Sequence, residues 1–112
     1  MAYDEGLAQR IRGLLKEHDG VDEKKMFGGL AFMRHGNMFC GVAKDDLMVR
    51  VGAEAYEGAL ARPHAHPMDF TGRPMRGMVF VGSWGCATEK ELKWWVEQGL
   101  KFVGSIPAKK KP

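Results

Sequence analysis

Two connections between Glu23 and Val51 are too short to carry the chain across a sheet. Arg34-His35-Gly36-Asn37 separates the apolar run Leu30–Met33 from Met38–Ala43, and Lys44-Asp45-Asp46 separates that run from Leu47–Val51. Parallel pairing needs a crossover of about a dozen residues, whereas turns this short join antiparallel neighbours. The stretch is therefore an antiparallel meander, and the remaining elements must pack around it. Lys24-Lys25-Met26-Phe27 leads into the meander through Gly28-Gly29, a bend or glycine bulge.

Helical patterns flank the meander. Asp4 is a good N-cap for a helix whose apolar stripe is Leu7, Ile11, Leu14 and Leu15, with Gly20 as its expected stop. A short helix is expected from Gly52 to Ala61, ended by Arg62-Pro63, because the residue before proline avoids the helical region. His64 to Met75 is broken by Pro67, Gly72 and Pro74 and reads as a loop, with room for a strand at Met68–Phe70. Met78–Val81 is a strand, and Gly82-Ser83-Trp84-Gly85 is a turn. Thr88 and Glu91 have capping-box spacing, ahead of Leu92, Trp95, Val96, Gly99, Leu100 and Val103 at helical period. The order is close to α-β-β-β-α-β-β-α. The class is α+β, a two-layer fold of a mostly antiparallel sheet and about three helices.

A chain of 112 residues, 45% apolar, makes one domain with one core. Its boundaries are read as 1–107, with 108–112 a solvated basic tail beyond Pro107. The net charge of +3 is misleading: removing Lys109, Lys110 and Lys111 leaves 14 basic against 14 acidic side chains. A balanced body argues against a broad nucleic-acid footprint. Three tail lysines would neutralise at most about three phosphates, so no sequence-specific DNA binding is expected of this chain alone. No membrane-spanning run and no secretory signal are evident, so a cytoplasmic protein with reduced Cys40 and Cys86 is expected.

Several residue patterns bear on chemistry. His64 and His66 in Pro63-His64-Ala65-His66-Pro67 lack the third and fourth ligands at paired spacing that zinc sites use, and read as a surface loop; no metal is expected. Cys40 lies in an apolar strand, where an inert buried thiol is usual. Cys86 precedes a helix N-terminus, a setting that lowers a thiol pKa. Phe27-Gly28-Gly29 lacks both phosphate-loop patterns, and no cofactor is expected. Asp69, Arg73 and Arg76 fall within one Gly/Pro-constrained loop. Two planar cations there can hold phosphate or carboxylate, or Arg73 can pair with Asp69 to brace the loop. Trp94 falls on the polar arc of the last helix with Glu97, Gln98 and Lys101. Tryptophan in that position marks a contact surface, and partial exposure is expected. Met33, Met48 and Met78 lie opposite apolar neighbours in their strands. Both sheet faces are therefore partly apolar, and the face without helices would need a partner, most simply a homodimer.

Five separated stretches, in order, carry a family resemblance. They are Lys24-Lys25-Met26-Phe27-Gly28-Gly29-Leu30-Ala31-Phe32, Gly36-Asn37-Met38, Val49-Arg50-Val51-Gly52, Ala59-Leu60-Ala61-Arg62-Pro63, and the segment Pro67-Met68-Asp69-Phe70-Thr71-Gly72-Arg73-Pro74-Met75-Arg76-Gly77. From about Met1 to Pro107 the chain resembles the TfoX (Sxy) N-terminal domain family. The resemblance implies a two-layer α+β domain related to secretion-chaperone-like folds. It also implies kinship with bacterial competence regulators, which act with a cyclic-AMP-responsive transcription factor and carry a second, helical domain that the resemblance does not cover. The family supplies no catalytic residues. The expected function is that of a small non-enzymatic module, binding a protein partner in transcriptional regulation through Asp69, Arg73, Arg76 and Trp94. The alternative is a small anionic-ligand-binding or enzymatic domain using the Arg73/Arg76 loop.

Overall fold

The meander is present, and it has one strand more than the condensed element order. In the computed structural model, which describes residues 3–26, 29–67 and 77–106, α1 (Glu5–Leu15) is followed by β1 (Val21–Met26), β2 (Gly29–Arg34), β3 (Asn37–Ala43) and β4 (Asp46–Arg50). Then come α2 (Tyr56–Leu60), β5 (Ala65–Pro67), β6 (Met78–Val81), a 3-10 turn at Ser83–Cys86, and α3 (Glu89–Gly104). The sheet order is β1-β2-β3-β4-β6-β5, with every neighbouring pair antiparallel.

Four elements differ from the sequence reading. The lead-in at Lys24 is the end of a full strand: β1 pairs with β2 from Val21↔Arg34 to Met26↔Gly29. Its exposed Asp22, Glu23, Lys24 and Lys25 hide the apolar alternation that usually marks a strand. A strand also occupies Ala65–Pro67 within the expected loop. It lies at the sheet edge, where the missing N–H of Pro67 costs no ladder bond; the expected strand at Met68–Phe70 lies outside the described residues. The helix expected over Gly52 to Ala61 is confined to Tyr56–Leu60, and α1 stops at Leu15, ahead of Gly20.

The caps work as their residue types require. The Asp4 carboxylate accepts from the Leu7 N–H at 3.2 Å, and Thr88 with Glu91 forms a reciprocal capping box at the start of α3. Arg12 on α1 donates to both carboxylate oxygens of Glu23 on β1 at 2.7 Å, fastening the first helix to the sheet.

All three helices contribute to one core against one sheet face. Leu7 and Ile11 from α1, Tyr56 and Ala59 from α2, and Leu92, Trp95 and Val96 from α3 pack with Leu30, Phe32, Val42, Leu47, Val49, Val79 and Val81. Register explains one irregularity. Phe32 pairs with Cys40 but Met33 pairs with Met38, so Phe39 is the extra residue of a β-bulge. Phe39 and Cys40 are consecutive, yet both are fully buried in the helix-side core. Over this bulge α3 brings Gly99 so close that a Cβ there would overlap the Phe39 carbonyl oxygen and lie 3.1 Å from its carbon.

The opposite face carries a smaller cluster in which Met48 and Met78 are buried and Met38, Ala43 and Phe80 are half-buried. Met48 and Met78 are thus closed off within the single chain, which removes them from the partner surface that the sequence pattern implied. Met33 is half-buried.

Candidate functional site

The expected loop residues Asp69, Arg73 and Arg76 lie outside the described residues, as does the Lys109–Lys111 tail. The remaining expected positions are described. His64 is exposed at φ 66, and His66 is exposed on edge strand β5 with its ring centroid 5.6 Å from that of Phe80. Among the described residues, no group of three His, Cys, Asp or Glu side chains is arranged to hold a metal ion.

Cys86 corrects the helix-terminus reading. Its thiol is buried, directed at the carbonyl oxygens of Gly82 and Ser83 at 3.7 and 3.8 Å. Burial pushes its pKa up to about 11, and the opposing pull of nearby Arg10 is smaller. Desolvation outweighs the helix terminus because the sulfur sits behind the 3-10 turn instead of facing solvent. Burial raises the Cys40 thiol further still. Both sulfurs hold their protons at neutral pH, the state in which a thiol is a poor nucleophile.

Trp94 is half-buried on the outer side of α3. Its ring meets Trp95 edge-on, at a centroid distance of 4.9 Å and an interplanar angle of 86°. Trp95 points into the core, 2% exposed, so the pair anchors Trp94 from beneath. Arg62, just past the end of α2, lays its guanidinium over the Trp94 ring at 3.7 Å. A guanidinium stacked by its face leaves its N–H fork in the plane, available to a carboxylate or phosphate.

The stack borders a groove between α2 and α3. A cavity of about 300 Å³ lies between Ala55, Gly58, Ala59, Arg62, Trp94 and Gln98. It runs into a larger one of about 620 Å³ that reaches Lys101, Phe102 and Ser105; both share Val51, Glu54, Ala55 and Gln98. Trp94, Gln98, Lys101 and Ser105 recur at helical spacing, so one face of α3 forms a whole wall. Phe102 is held from behind by Gly52, whose φ of +86 and missing side chain admit the ring, and by the Arg50 guanidinium 4.9 Å from its centroid. Among the described residues, neither Arg62 nor Lys101 has an ion-pair partner. The groove therefore offers an apolar floor, a planar cation, an ammonium and an amide, which is chemistry for binding.

Sequence reasoning placed Trp94 but missed Arg62 and Trp84. Trp84, in the 3-10 turn, is 77% exposed. Its signal was in the sequence, since a tryptophan in a Gly-flanked turn has no element of its own to bury it. Arg62 carried no such signal, because its role depends on α2 lying beside α3.

The family model for the TfoX N-terminal domain matches residues 13–103. No curated protein and no solved structure matches the chain.

Proposed function

Because the chain belongs to the TfoX N-terminal domain family, we propose that it is a competence-regulator-like module that acts in transcriptional regulation by binding a protein, not by catalysis. The observation that carries this reading is the Arg62–Trp94 stack, held on the surface by Trp95 and bordering an open groove. Tryptophan and arginine are the side chains most often found at the energetic centres of protein interfaces. Exposed Trp84 adds a second aromatic contact point. The buried, protonated thiols are consistent with a role that needs no nucleophile. The chain acts on DNA only through its partner, in keeping with its balanced body charge.

Affinity capture from native lysate tests the reading. The immobilised chain retains a protein that the Arg62→Ala variant loses, and mass spectrometry identifies it. Identical retained sets from both would contradict it. So would sub-micromolar, sequence-dependent duplex binding that survives removal of Lys109, Lys110 and Lys111.

A further inference from the structure

We infer that the groove between α2 and α3 receives a short acidic segment of a partner protein, with an apolar side chain on its floor and carboxylates on Arg62 and Lys101. This rests on the protein-binding reading and names what that surface recognises.

Charge and shape together select the occupant. Arg62 and Lys101 stand at opposite ends of the groove, without ion-pair partners among the described residues. Among the described residues, Glu54, shared by both cavities, is the one acidic side chain in the lining, set against the two cations Arg62 and Lys101. Arg62 is already ordered on Trp94, so binding a carboxylate immobilises little further. Lys101 lies seven residues beyond Trp94, about 10 Å along the helix axis. That span matches about three residues of extended chain. The complementary segment therefore carries two carboxylates about three residues apart, with an aliphatic or aromatic side chain between them. Ala55, Ala59 and Val51 give that side chain an apolar floor, and the Gln98 amide faces the segment's backbone midway. The two cavities share Val51, Glu54, Ala55 and Gln98 and together reach from Arg62 to Lys101, a reach that suits a chain segment better than a compact metabolite.

The test uses the full chain and a display library of random linear peptides. Selected peptides are expected to carry an acidic pair about three residues apart around an apolar residue. They should shift the amide resonances of residues 51–62 and 94–105. Arg62→Gln should weaken the best peptide at least tenfold and Lys101→Gln severalfold. Arg62→Lys, which keeps the charge but loses the stacked fork, should fall between wild type and Arg62→Gln. Lys16→Gln on α1 should bind as wild type does. Selected peptides without acidic residues, or unchanged affinity in Arg62→Gln, would overturn the inference. Peptides that shift only residues around Trp84 would overturn the groove while leaving a protein-binding function in place. Failure to select any peptide, together with failure to capture any protein from lysate, would remove both.

Discussion

Replacing Gly99 by alanine tests how α3 is seated, and with it the wall of the groove. The new methyl group would overlap the Phe39 carbonyl oxygen and approach the Phe39 carbonyl carbon and Cβ to 3.1 and 3.3 Å. The obstacle is backbone of a fully buried residue whose chain neighbour Cys40 is paired with both β2 and β4, so it cannot swing away as a side-chain tip would. Overpacking of a core costs ~1–3 kcal/mol, and a rigid obstacle places this case at the upper end. Alanine recovers ~1 kcal/mol of helix propensity. The net expectation is a loss of ~2 kcal/mol, or ~10 °C in melting temperature for a domain this small. Gly13→Ala is the matched control. It makes the same chemical change inside α1, where a Cβ meets nothing within 4 Å, and should stabilise by up to ~1 kcal/mol. Equilibrium unfolding in urea, followed by far-UV circular dichroism, reads both. If Gly99→Ala matches or exceeds wild type, α3 does not rest on the Phe39 bulge, and the groove geometry built on it is wrong.

Other consequences are separable. Trp95→Ala should cost ~3–5 kcal/mol, as for a buried aromatic, whereas Trp94→Ala should cost less than half as much; equal losses would place Trp94 in the core. Neither thiol should react with a disulfide reagent in the native chain at pH 8, and both should react once it is unfolded in guanidinium; a fast-reacting native thiol would contradict their burial. Because the folded Cys86 pKa of about 11 lies above the ordinary thiol value, stability should hold below ~pH 8.5 and fall as the pH rises towards 11. Hydrogen bonds from Arg12 hold the Glu23 carboxyl below the usual carboxylate range, so its contribution is present at neutral pH and lost as acid protonates it. Glu23→Gln should therefore be less stable than wild type at pH 7, with the gap narrowing below ~pH 4, checked by urea midpoints at each pH.

Local rules carried most of the fold. Asp4, Thr88 and Glu91 announce their helix starts through side-chain oxygens placed to accept the first free N–H groups, and the short turns at His35 and Lys44 fix the antiparallel meander. Strand β1 was harder to see because its charged residues face solvent and its pairing partner, not its own pattern, defines it. Strand β5 was hidden for a related reason. Pro67 argues against a strand unless the strand is known to lie at an edge, and that is decided by the whole sheet. The candidate site divides the same way. The helical wheel put Trp94 on the polar side of α3 without any structure. The stack that gives Trp94 its chemistry needs Arg62, brought there by the packing of α2 beside α3.

Amide hydrogen exchange of the chain, alone and with the protein it captures, separates the groove from every other surface. Slowed exchange is expected only at residues 54–62 and 94–105, the two walls of the groove, with that protection lost in Arg62→Gln. Protection confined to other surfaces of the chain, or protection of the groove that persists in Arg62→Gln, would contradict that expectation.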